Sequence, residues 1–450
     1  MYIKTGGTME KAAKRERVAW YFYDFGNSAY AAVVILAVFS AYYKGTVVGG
    51  AEGSRMWGLA IGIAMLVVAI VSPLLGTIAD YTGSKKKFLF FLTAQAVLFT
   101  AALFFVQEGD AILGMVLLVL AESGYRGAQV FYNSLLPEIA SPEEISKVSG
   151  NGWAIGSLGG ILCLLLILPL IVLVGGTLVV RLSLIFTAVF FAASTIPLFL
   201  WLKERTEPKP LPEGENYLTL GFKRLFGTFK EIGSYKEFLR FIVAFLVYND
   251  GIIMALNFAA ILGAVLFGME QQELIIFMII VQVTSVIGAY VFGMVADRYS
   301  GKRSLFLSLL MMIGVIVWMY FNHSKTAFYV IGAMAGMALT GVQSVSRTLV
   351  GLLAPEGKSG EFYGFFAVAG RSSSFIGPTV YGWIAAEAAL FYQSQGLVEL
   401  AAEQAGQRLG ILSIALFLIV GFVLLVFVRE PKSGYALRRA AKKLQRAAEE

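Results

Sequence analysis

A chain of 450 residues with 58% hydrophobic content and a mean hydropathy of +0.75 is far more apolar than the roughly 45–50% typical of soluble domains, which marks a membrane protein. Its single cysteine, Cys163, excludes an internal disulfide, and its single histidine, His323, lies in a short polar connection, which excludes most histidine-built metal sites. The net charge of +7 is accounted for by membrane orientation, as counted below, and gives no reason to invoke nucleic acid.

Residues Met1–Val18 are polar and basic, with no short apolar core or small-residue cleavage site, so no cleaved signal peptide is expected. A spanning helix needs about 20 mostly apolar residues. Twelve segments qualify: 18–43, 55–79, 88–107, 111–135, 148–174, 179–202, 238–267, 272–296, 304–322, 327–350, 361–392 and 407–428. Twenty-eight lysines and arginines fall in the two termini and in alternate connections, against only Lys44, Arg55, Arg181, Lys325 and Arg408 on the other side. Short basic loops stay cytoplasmic, so both termini are expected there.

The first segment opens with Trp20–Tyr30, which places Asp24 where hydrocarbon is expected. A charge inside a bilayer costs at least about 2.5–3.5 kcal/mol on insertion scales and normally faces a protein interior or watery cavity. Tyr248-Asn249-Asp250-Gly251 partly echoes Tyr23-Asp24, offset by 225 residues. Gly76, Asp80, Gly83, Lys85 and Lys86 after the second segment match Gly293, Asp297, Arg298, Gly301, Lys302 and Arg303 after the eighth, offset by 217. Pro137-Glu138 after the fourth matches Pro355-Glu356 after the tenth, offset by 218. The three pairs predict duplicated six-helix halves, 1–202 and 238–428, a known transporter plan.

The linker 203–237 begins with a proline-rich run, 207–212, that cannot be a regular helix. Leu218, Phe222, Leu225, Phe226, Phe229 and Ile232 then recur at helical spacing opposite Lys223, Arg224 and Lys230. That pattern predicts a helix lying in the headgroup region. The tail 429–450 places Arg438, Lys442 and Arg446 on one stripe, read as a solvated basic helix near anionic lipid.

Six ionisable residues lie within spans away from the loop motifs: Asp24, Glu122, Arg126, Asp250, Arg347 and Arg371. Glu122 and Arg126 share one helix face by their four-residue spacing and can neutralise each other near mid-membrane. They form either a buried structural pair or a cavity in which Arg126 attracts a carboxylate and Glu122 exchanges protons. Asp80 and Asp297 end helices on the cytoplasmic side, where each is placed to accept amide hydrogen bonds from a helix N-terminus of the other half and act as a gate. Gly152, Gly156 and Gly160 in the fifth segment, and Ser285, Ala289 and Gly293 in the eighth, mark close helix packing; a two-fold arrangement would let these faces meet.

Three motif matches fail. Gly351 to Ser359 imitates a phosphate-binding loop but has five residues between its glycines where four are needed, so no ATPase is expected. Gly150-x-Gly152 followed by Gly156 is one residue too long for a dinucleotide fingerprint, and Asn322-His323-Ser324 is a chance sequon. No cofactor or metal is expected, and an intramembrane hydrolase finds no nucleophile with a base.

Two six-helix halves joined by a linker, with Gly76-x-x-x-Asp80-x-x-Gly83 and its copy after the eighth span, resemble the major facilitator superfamily. Residues Tyr23 to Ala29, Leu136 to Ala140 with Ser149 to Ala154, Tyr248 to Gly251, and Gln343 to Arg347 resemble its vacuole-effluxer branch. That branch includes autophagy-related amino-acid exporters of fungal vacuoles and bacterial permeases. Tyr81 stands where a basic residue normally follows the loop aspartate, which implies a weaker N-terminal latch than the C-terminal one, where Arg298 is present.

The resemblance implies an all-α membrane protein with twelve transmembrane helices in two pseudo-symmetric halves, working as a secondary transporter by alternating access. The expected cargo is a small solute, with amino-acid efflux and proton coupling as the specific form; a lipid or lysolipid flippase on the same fold is the alternative. The expected setting is a bacterial inner membrane and a monomer. Candidate substrate or proton-coupling residues are Tyr23, Asp24, Asn27, Glu122, Arg126, Asn133, Trp153, Tyr248, Asn249, Asp250, Gln343, Arg347 and Arg371.

Overall fold

The structure is a computed structural model and describes residues 6–140, 145–205, 208, 216, 235–354, 362, 365–366, 369–370 and 374–430. The predicted linker helix, the basic tail, Arg371 and Pro355-Glu356 lie outside these residues, as do the side chains of Asp80 and Asp297. In lipid every backbone amide must find its partner within the chain, so long apolar runs fold as helices. Among the described residues eleven helices are long and apolar enough to cross a membrane, and Ile376–Ser394 makes a twelfth traverse.

The first span is irregular. Helix α1 (Gly6–Tyr30) passes into a π-helix, Ala31–Ala37, then a short helix, Phe39–Tyr42, and a second π-helix, Tyr43–Val48. Gly49, with φ of 73°, ends it in a conformation that side chains disfavour. Then follow α2 (Gly50–Thr82), α3 (Lys85–Ala102), α4 (Ala111–Ser134), α5 (Ile145–Leu173) and α6 (Gly176–Trp201). The second set is α7 (Lys236–Phe267), α8 (Gln271–Arg298), α9 (Gly301–Phe321), α10 (Lys325–Leu353), α11 (Ile376–Ser394) and α12 (Glu399–Val426).

The eleventh span, expected over 361–392, is a helix over Ile376–Ser394 preceded by a turn at 374–375, and two other boundaries differ from the sequence expectation for one shared reason. The first span continues past 43 to Val48, and α12 starts at Glu399 instead of 407. Each added stretch carries charge, Lys44 in one and Glu399 and Glu403 in the other, and a hydropathy window trims charged helix ends.

Within the first six helices α1 packs on α5 and α6, and α3 on α4 and α6; within the second six, α7 packs on α12 and α8 on α10. The two sets meet mainly where α2 lies against α11 and α5 against α8. The small-residue stripes do not meet as expected. Gly152 is closed by Trp20, and Gly156 by Asp24 and Ser28, all on α1, while the Ser285 hydroxyl donates to the Gly336 carbonyl of α10 at 3.1 Å. Each stripe therefore serves its own half, except that Gly160 abuts Gln282 of α8.

The bonds at the two faces differ. On the face holding the chain ends, Glu204 accepts from the first amides of α3, Lys85 N at 2.7 Å and Lys86 N at 3.1 Å. Glu430 does the same for α9, with Gly301 N at 2.9 Å and Lys302 N at 3.1 Å. Lys86 and Lys302 donate to the last carbonyls of the spans preceding those glutamates, Leu202 at 2.7 Å and Val428 at 2.6 Å. These anion-capped helix starts are a further internal repeat, and each stays within its half. On the opposite face the halves are bonded to each other: the Trp57 indole donates to the Asn257 carbonyl at 2.9 Å and the Gln271 amide to the Ala37 carbonyl at 2.7 Å. There Gly58 of α2 and Gly382 of α11 touch backbone to backbone, whereas Gly76 and Gly293, near the other face, meet nothing among the described residues within 4 Å of an added Cβ.

Candidate functional site

The interior is lined where α1, α4, α7 and α10 carry polar groups. Glu122 and Arg126, one turn apart on α4, form the expected pair, with Arg126 Nε donating to Glu122 Oε1 at 2.7 Å. Glu122 has no exposed surface, while the Arg126 side chain keeps 22% of its own. The second carboxylate oxygen, Oε2, and the Tyr30 hydroxyl are both buried and make no hydrogen bond of ideal geometry among the described residues, but the Tyr30 hydroxyl faces the Glu122 carboxylate as a donor to it. Tyr30 stacks on Tyr125 with ring centroids 4.4 Å apart, and the Arg126 guanidinium lies 5.1 Å from the centre of that same ring. Two tyrosines and an ion pair thus form one packed unit. It holds a buried carboxylate between a guanidinium and a phenol, with the guanidinium partly exposed.

Asp24 is half-buried on the face of α1 that meets Gly156, whose added Cβ would fall 2.5 Å from Oδ2. Asn27 donates to Asp24 at 3.5 Å, and Arg347 of α10 acts on it electrostatically from the other half. In the second half Asn249 donates to the Gly370 carbonyl and the Ser374 hydroxyl, each at 3.4 Å, and accepts from Gln343 at 3.3 Å. Asp250 is only 2% exposed, and its Oδ1 has no hydrogen-bond partner among the described residues.

Two expected site residues bond within their own halves. Tyr23 and Tyr248 are fully buried; the hydroxyl of Tyr23 bonds Thr93 of α3 at 2.7 Å and that of Tyr248 bonds Ser346 of α10 at 2.8 Å. Each points into its own half and fastens α1 or α7 to the scaffold, because a buried phenol needs a partner. Asn133 and Trp153 are exposed. Asp24 is half-buried against Gly156 of α5, and Asp250 is buried.

Sequence reasoning missed Tyr30 and Tyr125, which look like any aromatic residues in an apolar run. It also missed a buried ion pair between Lys44 and Glu403, each of which reads as a loop charge. Four-residue spacing of Glu399, Glu403 and Gln407 on one face of α12 was the available signal.

The family of vacuole effluxer Atg22-like proteins matches residues 56–436. The chain belongs to this family. It is 29% identical over 436 residues to the uncharacterized MFS-type transporter YxiO of Bacillus subtilis (strain 168), covering 94% of this chain and 97% of that protein. Autophagy-related protein 22 of Yarrowia lipolytica is 23% identical over 415 residues, covering 73% of this chain and 70% of that protein. Among solved structures, the fold matches a bacterial homologue of the human lysosomal transporter Spinster in its inward-facing, occupied conformation, with TM-score 0.71 at 12% identity. That alignment covers 93% of this chain and 96% of the other. A mutant of the nucleoside transporter NupG gives TM-score 0.69 at 13% identity, covering 93% of this chain and all of that one. The chain is thus an integral membrane transporter with the major facilitator fold and is not an enzyme.

Proposed function

We propose that this transporter exports a small charged solute of the amino-acid class by alternating access, driven by or exchanged with protons, from a site centred on Glu122 and Arg126. The observation that carries the reading is the Glu122 carboxylate. One oxygen is held by Arg126 at 2.7 Å and the other is buried, with only the loosely placed hydroxyl of Tyr30 facing the carboxylate. Burying a carboxylate is costly even when it is paired, so a fully buried one whose second oxygen is only loosely held favours a group that changes partners over a finished structural pair. Arg126 offers the cation for a substrate carboxylate, and Asp24 offers a second buried charge, on which Arg347 of the other half acts electrostatically.

Alternating access is supported by the difference between the faces. The halves are bonded on one side, while Gly76 and Gly293 on the other have open space where a close approach would need glycine. In this reading residues 1–202 and 238–428 are the moving units, 203–237 tethers them, and both termini are cytoplasmic in a bacterial inner membrane. The Asp80 and Asp297 motifs, with Arg298, Arg303 and their neighbours, close the cytoplasmic face in the other half of the cycle.

Flux of labelled amino acids against labelled lysolipids in proteoliposomes tests the assignment, with and without an imposed proton gradient. Uptake of an amino acid that responds to the gradient is the expected result. Lysolipid movement without amino-acid movement would replace this reading with a flippase, to which the stacked aromatic interior also lends itself.

A further inference from the structure

Away from the central site, on the face opposite the chain ends, Lys44 and Glu403 form an ion pair between residues 359 apart in sequence. Lys44 belongs to the second π-helix of the first span and Glu403 to α12, so the bond joins the two halves. Both residues are buried, at 5% and 7% exposure. The next layer repeats the pattern: Gln407, one turn along α12, donates to the Ser54 hydroxyl of α2 at 2.6 Å and accepts from Tyr381 of α11 at 2.8 Å. Nearer the surface Arg55 of α2 pairs with Glu387 of α11 at 2.6 Å.

We infer that Lys44 and Glu403 are the gate charges of the opposite face, an electrostatic lock that holds the exit shut in this conformation and opens by hydration. The inference rests on the alternating-access part of the proposed function. A bond across the halves on this face must break if that face opens. A buried ion pair suits the task because its Coulomb attraction is largely offset by the desolvation it requires. When water enters, each charge regains its hydration as it loses its partner, so the paired and parted states stay close in free energy. The π-helical turns around Lys44, bounded by Gly49 at φ of 73°, place the cation in backbone that is already irregular.

The test reads distances between spin labels at Glu108→Cys and Val398→Cys, exposed positions at the opposite-face ends of the two halves, in a Cys163→Ser background in proteoliposomes. Lys44→Met and Glu403→Gln each leave one buried charge without its partner, which penalises the closed face only. Either should raise the ratio of long to short distances by roughly tenfold or more. The double variant Lys44→Met/Glu403→Met buries no charge and gains nothing by hydration, so its long-distance population should fall to or below that of wild type, a non-additive outcome. Glu403→Gln preserves side-chain shape and keeps the test available if Lys44→Met does not fold.

Single variants that keep the wild-type distribution, or a double variant as open as the singles, would overturn the gate. A wild-type protein whose distances stay fixed with amino-acid substrate and proton gradient would overturn alternating access itself, and the gate with it. Two wild-type populations that the single variants fail to shift would remove the gate alone.

Discussion

The two halves share their scaffold and differ in their chemistry. The phenols of Tyr23 and Tyr248 fasten α1 and α7 by hydroxyl bonds of 2.7 and 2.8 Å, and Glu204 and Glu430 cap the starts of α3 and α9 in matching ways. On the offset of 218 that aligns Pro137-Glu138 with Pro355-Glu356, however, Glu122 and Arg126 align with Thr340 and Ser344. The Thr340 hydroxyl simply donates back to the Gly336 carbonyl of its own helix at 3.3 Å. The duplicated fold thus keeps the capped helix starts in both copies, anchors its two phenols to non-equivalent helices, α3 and α10, and places the central ion pair in one half. Charges found once in a repeat are the ones that helix packing does not explain.

The largest expected effect follows from breaking that pair on one side. Arg126→Ala leaves Glu122 fully buried without its cation, which costs on the order of 3–5 kcal/mol. Transport should drop to background and the yield of folded protein should fall, measured by flux and by thermal unfolding in detergent. Ser344→Ala, at the matching place in the second half, should stay within about 0.5 kcal/mol of wild type. Equal damage from the two substitutions would erase the contrast between the halves.

A smaller effect separates the two aspartates. Asp24 is half-buried and is acted on electrostatically by Arg347 of the other half, whereas Asp250 is 2% exposed with an oxygen that no described group satisfies. Asp24→Asn removes a charge that spans the interface and should lower transport about tenfold, equivalent to about 1.4 kcal/mol. Asp250→Asn replaces a costly buried acid by a neutral group of the same shape and should leave the melting temperature unchanged or raised. A collapse of transport in Asp250→Asn would make the second half an equal partner in the chemistry.

Much of this arrangement was legible in the sequence. Span number and the internal repeat follow from runs of about 20 apolar residues and from three motif pairs, and the pairing of Glu122 with Arg126 follows from helical spacing, since partners one turn apart need no knowledge of the fold. Contacts between distant segments were not legible. Lys44 and Glu403 meet only because the halves pack together, and each sits on a helix end that hydropathy assigns to a loop. The direction of a side chain was also hidden: Tyr23 and Tyr248 stand in the most distinctive repeated stretch, yet both turn into their own halves because packing decides which face of the helix is buried. Tyr30 shows no sign of its place beside Glu122 until α1 and α4 are brought together.

The most direct test of the central site is the transport activity of Glu122→Gln/Arg126→Ala reconstituted in proteoliposomes. This protein buries no unpaired charge, so it should express and melt nearly as wild type does, because removing both members of a buried pair is often neutral for stability. If the pair binds substrate and carries the coupling proton, the folded protein transports nothing above background. Near-normal transport by the same protein would make Glu122 and Arg126 a packing device and contradict the site.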